Sequence, residues 1–216
     1  MIKGVIFDLD GTLLHTVPDL HDCMNAMLRH FGYPEITEND TRRFIGHGAR
    51  EFVLQSLPPE ARGMEKECLK FYGEYYEQSG SPKTALFDGV DELLKKLTAD
   101  GVKLAIVSNK PQRNTEDVYR KYLSAYNFAY VTGHVKGVEV KPDPTLTLDC
   151  IQKLGLKKEE TVFVGDGETD VQTAIRAGIK GISVLWGYRD KAELIEAGAT
   201  HFVETASQLY QAIRSL

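Results

Sequence analysis

From Phe87 to the C-terminus, short apolar runs alternate with amphipathic stretches, and this alternation constrains the fold more than any other feature of the sequence. The runs are "VKLAIVS", "FAYVTG", "TVFVGDG" and "GISVLW". Each is too short for a helix, apolar on both faces, and bounded by turn or polar residues. A strand with no polar face must be covered from both sides, as happens in a parallel sheet with crossover helices. The intervening stretches supply those helices: one through Leu93, Leu94 and Leu97, one ending near Tyr122, one through Leu146, Leu148 and Ile151, and "DVQTAIRAG". A weaker strand, "HFVE", and a final helix close the chain. The expected fold class is α/β, a doubly wound, Rossmann-like parallel sheet.

One further apolar run, Gly4 to Leu9, lies far upstream of the rest, and the residues between show helical spacing only. Leu20, Met24, Met27, Leu28 and Phe31 mark one face of a helix that Gly32 and Pro34 stop. Thr37 to Ile45 and Ala49 to Leu57 read as short helices separated by "GHG". Pro58-Pro59 makes another break, and Met64, Cys68, Phe71 or Tyr72, and Tyr75 mark a fourth helix before the linker "SGSPKT". The expected organisation is a core made of residues 1–14 and 83–216, with residues 15–82 inserted as a helical cap.

Composition narrows the function classes. Hydrophobic residues at 42% and charged residues at 26% fit a soluble globular protein. A formal charge of −5 argues against sequence-independent binding to nucleic acid or to an acidic membrane, both of which require a basic face. Cys23, Cys68 and Cys150 are odd in number and widely spaced, so neither a disulfide frame nor a zinc site is indicated. The N-terminus lacks the basic and apolar regions of a signal peptide, and no apolar run reaches membrane-spanning length, so a cytoplasmic location is expected.

In an open parallel sheet, ligands bind outside the carboxyl ends of the strands, where the strand order reverses. The residues just after each run are therefore informative. Asp8, Asp10, Gly11 and Thr12 come after the first; Ser108, Asn109 and Lys110 end the second; Lys141 stands before Pro142 shortly after the third; Gly165, Asp166, Gly167, Glu168 and Asp170 come after the fourth. Taken singly, each has a plain alternative. Asp-Gly is turn chemistry, serine is a preferred helix cap, and Lys141 could sit on a solvated turn. Asp170 could cap a helix or orient Lys141, and Glu168 is expected to face solvent.

Together, "DLDGT", "VSNK", "KPDP" and "GDGETD" resemble the four motifs of the haloacid dehalogenase superfamily of phosphohydrolases, in the right order across nearly the whole chain. "PDL", "IGHGA", "VSNKP" and "EAGATHFVE" resemble the phosphoglycolate phosphatase branch. The resemblance implies Asp8 as nucleophile, Asp10 as general acid and base, and Ser108 and Lys141 as phosphate-side catalytic groups. Asp8, Asp166 and the main-chain oxygen of Asp10 would hold Mg²⁺, with Asp170 behind Lys141. It also implies that the first and fourth strands are neighbours, which would bring Asp8 to Asp166. Dehalogenases of the superfamily expel halide and lack the second aspartate, so Asp10 favours phosphoryl transfer.

The residue types suit that chemistry on physical grounds. A phosphate monoester is an anion and repels a carboxylate nucleophile unless cations offset the charge, which a hard metal ion on oxygen ligands and Lys141 would do. A carboxyl group near the leaving oxygen can give a proton in one step and take one in the next. Thr12, Asn109 and Lys110 are expected on the substrate. In the insertion, Arg43 and His47, with Arg42, Arg50, Gly46 and Gly48 around them, are expected to meet a carboxylate beside the phosphate; alternatively, these arginines pair with Glu38, Asp40 or Glu51. The expected substrate is a small phosphorylated metabolite, best matched by 2-phosphoglycolate. A β-phosphoglucomutase-like sugar-phosphate mutase and a pyrophosphatase are alternatives on the same core. Leu14, His15 and Thr16, "LFDGV" and "GYRD" depart from the usual family wording and leave the four motifs intact.

Overall fold

A computed structural model describes residues 1–216. In chain order the elements are β1 (Gly4–Phe7), β2 (Leu14–His15), α1 (Val17–His30), α2 (Glu38–Phe44), α3 (Ala49–Ser56), α4 (Glu65–Ser79), β3 (Ala85–Leu86), α5 (Val90–Ala99) and β4 (Lys103–Pro111). They continue with α6 (Gln112–Val118), β5 (Phe128–His134), α7 (Thr145–Leu154), β6 (Thr161–Gly165), α8 (Glu168–Ala177), β7 (Lys180–Val184), α9 (Lys191–Glu196), β8 (Phe202–Val203) and α10 (Ala206–Ser215). Six strands form one parallel sheet in the order β5-β4-β1-β6-β7-β8, the doubly wound α/β arrangement expected from the alternation.

β1 is the point at which the winding reverses. It pairs with β4 on one side and β6 on the other, with Phe7 level with both Ile106 and Val164. The carboxyl ends of these three strands therefore lie side by side, at the position where such sheets bind ligands. Period-two alternation assigns the strand side chains to two cores. Val5, Phe7, Leu104, Ile106, Val162 and Val164 pack with Leu94 and Leu97 of α5 on one face. Ile6, Ala105, Val107 and Phe163 pack with Cys150, Ile151 and Leu154 of α7 on the other. Each such fully buried aliphatic or aromatic side chain contributes on the order of 1.5–3 kcal/mol before entropy is counted.

Helices α1–α4 carry a separate apolar cluster, in which Val17, Met24, Met27 and Leu28 of α1 meet Phe52, Val53, Cys68, Tyr72 and Tyr76. Thr37 and Asp40 form a reciprocal capping box at the start of α2, which explains its sharp onset after Pro34. All three cysteines are free and buried, as small hydrophobes. No helix is long and apolar enough to cross a membrane.

Two features at the neck of the insertion were not anticipated. Strands β2 and β3, two residues each, pair antiparallel across the whole insertion, Leu14 with Leu86 and His15 with Ala85. Buried Asp19 of α1 accepts from the Lys83 N–H at 3.0 and 3.1 Å and from Thr84 Oγ1 at 2.7 Å, tying the insertion to its return linker. The first strand also stops at Phe7 rather than Leu9, because the chain turns there: the amides of Leu13 and Leu14 both donate to the Leu9 carbonyl.

Candidate active site

Asp8 leaves the end of β1 with its amide still in the ladder, donating to Val164 O at 2.9 Å, so the strand itself aims the carboxylate at the sheet edge. Asp166 comes directly after the end of β6, one strand away. The loops around them carry glycine for a steric reason. Gly11 has φ +91°, and a Cβ there would run into the Asp166 carboxylate; one on Gly187 would do the same.

Asp8, Asp166 and Asp170 each offer a carboxylate oxygen, all within 4.8 Å of one another and all buried. Asp170 is already engaged: Oδ1 accepts from Lys141 Nζ at 2.6 Å and Oδ2 from the Gly167 amide at 3.0 Å. Lys141 Nζ also lies 2.9 Å from Asp8 Oδ1, but outside hydrogen-bonding alignment, so that buried oxygen has no hydrogen-bond partner. Asp166 is held by two donors, Thr12 Oγ1 at 2.8 Å and the Tyr188 amide at 2.9 Å, which leave its remaining lone pairs free.

Three acids thus face one ammonium. Burial pushes the Asp166 carboxyl up to about 8, reinforced by Asp170 and Asp8. Burial likewise raises Asp8, with Lys141 opposing and Asp170 adding, to about 6. Burial works against the charge on Lys141, but Asp170 and Asp8 outweigh it and hold its proton more tightly than usual. An Asp8 oxygen with no aligned donor, beside a fixed second carboxylate in an all-oxygen donor set with one ammonium for three acids, fits a hard divalent cation.

Ser108 and Asn109 stand near the carboxyl end of β4. Ser108 Oγ accepts from the Lys110 amide at 3.3 Å and faces the same cavity as Asp8 and Asp10. Lys110 Nζ sits 3.1 Å from Asp10 Oδ2 and 4.8 Å from the centre of the Tyr76 ring. The Asn109 amide group brackets Lys141, accepting from its N–H at 2.7 Å and donating to its carbonyl at 3.0 Å, and also donates to Gly46 O of the insertion at 2.8 Å. Thr12 and Asn109, expected on the substrate, therefore spend their side chains positioning Asp166 and Lys141.

The cavity beside these groups, ≈ 50 Å³, is roofed by Leu20, Ile45, Phe52, Tyr72 and Tyr76 of the insertion. Arg43 and His47 do not reach it. Arg43 is exposed, and His47 Nε2 lies 3.2 Å from Glu168 Oε1. Arg42 pairs with Glu38 at 2.9 Å, as the pairing alternative has it, whereas Arg50 pairs at 2.5 Å with Glu65, an acid at the start of α4. Glu168, expected in solvent, is shared between His47 and Arg189.

Nothing in the sequence pattern marked Tyr72, Tyr76, Tyr188 or Arg189 as site residues. The last two lie just past β7, and inspection of the carboxyl end of that strand, as for the other four, would have found them. Tyr72 and Tyr76 carry no such signal: on α4 they read as ordinary core aromatics.

The model of the haloacid dehalogenase-like hydrolase family matches residues 5–184. The chain belongs to the haloacid dehalogenase-like hydrolases. Within this family it is 32% identical over 211 residues to phosphoglycolate phosphatase 1 of Pseudomonas aeruginosa, covering 95% of this chain and 77% of that one. It is 31% identical over 220 residues to the phosphoglycolate phosphatase of Vibrio vulnificus, covering 98% and 96%. The solved structure of a candidate phosphoglycolate phosphatase from Lactobacillus delbrueckii subsp. bulgaricus superposes with TM-score 0.90 at 32% identity, over 98% of both chains. This hydrolase therefore aligns with those proteins over nearly its whole length and shares its fold with the solved one.

Proposed function

We propose that this hydrolase is a Mg²⁺-dependent phosphatase of small phosphate monoesters, with 2-phosphoglycolate, giving glycolate and phosphate, as the substrate. The observation that carries the reading is the pairing of two buried carboxylates, Asp8 and Asp166, beside a lysine-neutralised acid at the carboxyl edge of adjacent strands. In this reading residues 1–14 and 83–216 are the catalytic core and residues 15–82 the cap. A small cavity under the cap, lined by both polar and aromatic groups, suits a small ester. Phosphoglycolate phosphatases among the relatives supply the substrate choice.

Asp8, Asp166 and the main-chain oxygen of Asp10 would hold the Mg²⁺, which when bound offsets negative charge on the nucleophile and the phosphoryl oxygens. An Asp8 carboxylate oxygen attacks phosphorus; its bond to phosphorus forms as the bond from phosphorus to the ester oxygen breaks, giving an aspartyl phosphate. Asp10 gives its proton to the leaving alkoxide. Water then attacks the aspartyl phosphate, Asp10 takes a proton from that water, and the Asp8 carboxylate is released with inorganic phosphate. Ser108 Oγ and Lys141 hold the phosphoryl oxygens through both steps, and Lys110 positions the Asp10 side chain, which enters the first step protonated.

Phosphate release from a panel of esters with and without Mg²⁺ tests this reading, with Asp8→Asn as the control. Turnover is expected to fall by at least ~10³-fold in Asp8→Asn with an unchanged melting temperature, the scale of loss when a covalent nucleophile is removed. Undiminished turnover removes Asp8 as nucleophile, and isomer formation from a hexose phosphate without phosphate release would make the enzyme a mutase.

A further inference from the structure

Arg189 is a core residue whose side chain is spent almost entirely on the insertion. It is only 9% exposed. From the loop after β7, Nη1 donates to Arg42 O at 2.6 Å, and Nη2 donates to Ile45 O at 2.7 Å and Arg43 O at 3.2 Å. Nε donates to Glu168 Oε2 at 2.9 Å. The three carbonyls belong to the last turn of α2 and the residue after it, where helix geometry leaves acceptors without partners and gathers partial negative charge. A guanidinium, planar and with five donors in a fixed fork, can meet several carbonyls at once; an ammonium cannot match that spread.

The segment it grips is the roof of the cavity. Ile45, Gly46 and Gly48 line the space over Asp8 and Asp10, and Gly46, at φ +111°, would bring a Cβ within 3.4 Å of Arg189 Nη2. Asn109 holds the Gly46 carbonyl from β4 at 2.8 Å. Glu168 completes the clasp by accepting from Arg189 and lying beside His47. The bonds to the four carbonyls all join core to insertion, so swinging the insertion away breaks them together and returns both the guanidinium and the carbonyls to water.

We infer that Arg189 is a positioning residue that clasps the closed cap and sets the cavity over the reacting groups, and so selects small esters over bulky ones. The inference rests on the phosphatase reading for its substrate readout and on the observed contacts for its structural one. Nothing in it requires Arg189 to touch substrate.

Arg189→Met and Arg189→Lys, compared with the wild type, test it in two ways. Amide hydrogen exchange in residues 41–49 is expected to quicken at least tenfold in Arg189→Met, while exchange in β1 and β6 stays unchanged. KM for 2-phosphoglycolate is expected to rise at least tenfold with little change in kcat, and kcat/KM for 4-nitrophenyl phosphate, a bulkier aryl ester, is expected to hold or rise. Arg189→Lys should fall between, since one ammonium replaces a fork that meets three carbonyls. Unchanged exchange in residues 41–49, or equal losses with both esters, would overturn the inference. If the wild type hydrolyses neither ester, the phosphatase reading fails, and the exchange result still decides the clasp.

Discussion

Replacing Thr12 with Val separates two roles for the second residue after Asp10. Thr12 is 1% exposed, and its Oγ1 donates to Asp166 Oδ1 at 2.8 Å. Valine keeps the shape and removes the donor, so the packing survives. A hydrogen bond to a charged acceptor is worth about 1.5–3 kcal/mol, and Asp166 would keep only the Tyr188 amide, at 2.9 Å. Loss of a group that orients a metal ligand typically weakens the metal by about 10–100-fold, or roughly 1.4–2.8 kcal/mol at about 1.4 kcal/mol per tenfold, in line with one lost bond. The same bond favours the charged form of Asp166, whose carboxyl burial already raises to about 8. Without it protons compete better for the site, so the defect should be larger near pH 6 than near pH 8.5. Calorimetric titration of Mg²⁺ into both proteins at the two pH values measures the effect directly, with KM for 2-phosphoglycolate taken at saturating Mg²⁺. A change in Mg²⁺ affinity of less than twofold would refute this role, and a raised KM at saturating Mg²⁺ would return Thr12 to the substrate.

Two other outcomes are expected from the same geometry. Because the Asp8 and Asp166 carboxyls are raised to about 6 and about 8, the folded protein binds these protons more tightly than the unfolded chain does. This contribution to stability is complete below the ordinary carboxylate range and is lost as pH climbs through about 8. If Asp8 and Asp166 hold Mg²⁺ as proposed, the ion relieves their repulsion only where they are ionised, so calorimetry should find a larger Mg²⁺-induced rise in Tm at pH 8.5 than at pH 5.5; equal rises would contradict the assignment. Asp19→Ala leaves the Lys83 amide and the Thr84 hydroxyl without their acceptor at the neck of the insertion. It should cost about 2–4 kcal/mol in urea unfolding, and a change under about 1 kcal/mol would show that the neck is held by β2 and β3 instead.

The layout of the sheet was readable in the sequence because a strand covered on both faces must be apolar throughout, and a crossover helix must show a stripe. Asp8, Ser108, Lys141 and Asp166 were readable for a related reason: each lies at or soon after the end of such a run, and strand ends are where a parallel sheet exposes its polar residues. What Thr12, Asn109 and Arg189 hold was not readable. Their partners are Asp166, Lys141 with Gly46, and Glu168 with the carbonyls of residues 42, 43 and 45, the nearest of them 21 positions away in the chain. A main-chain carbonyl carries no residue identity, so no pattern of letters marks it as an acceptor.

The cap cations illustrate the same division. Positive charge suits an anion, which favours Arg43 and His47 as ligands by composition, but Arg43 is exposed, His47 sits beside Glu168, and neither lines the cavity. Sequence alone determined the α/β class and the acids that meet at the sheet edge, because periodicity and strand-end chemistry are local. Only the tertiary structure decided which groups line the cavity and which hold its walls. Those roles depend on contacts between distant segments, and it is packing that brings the segments together.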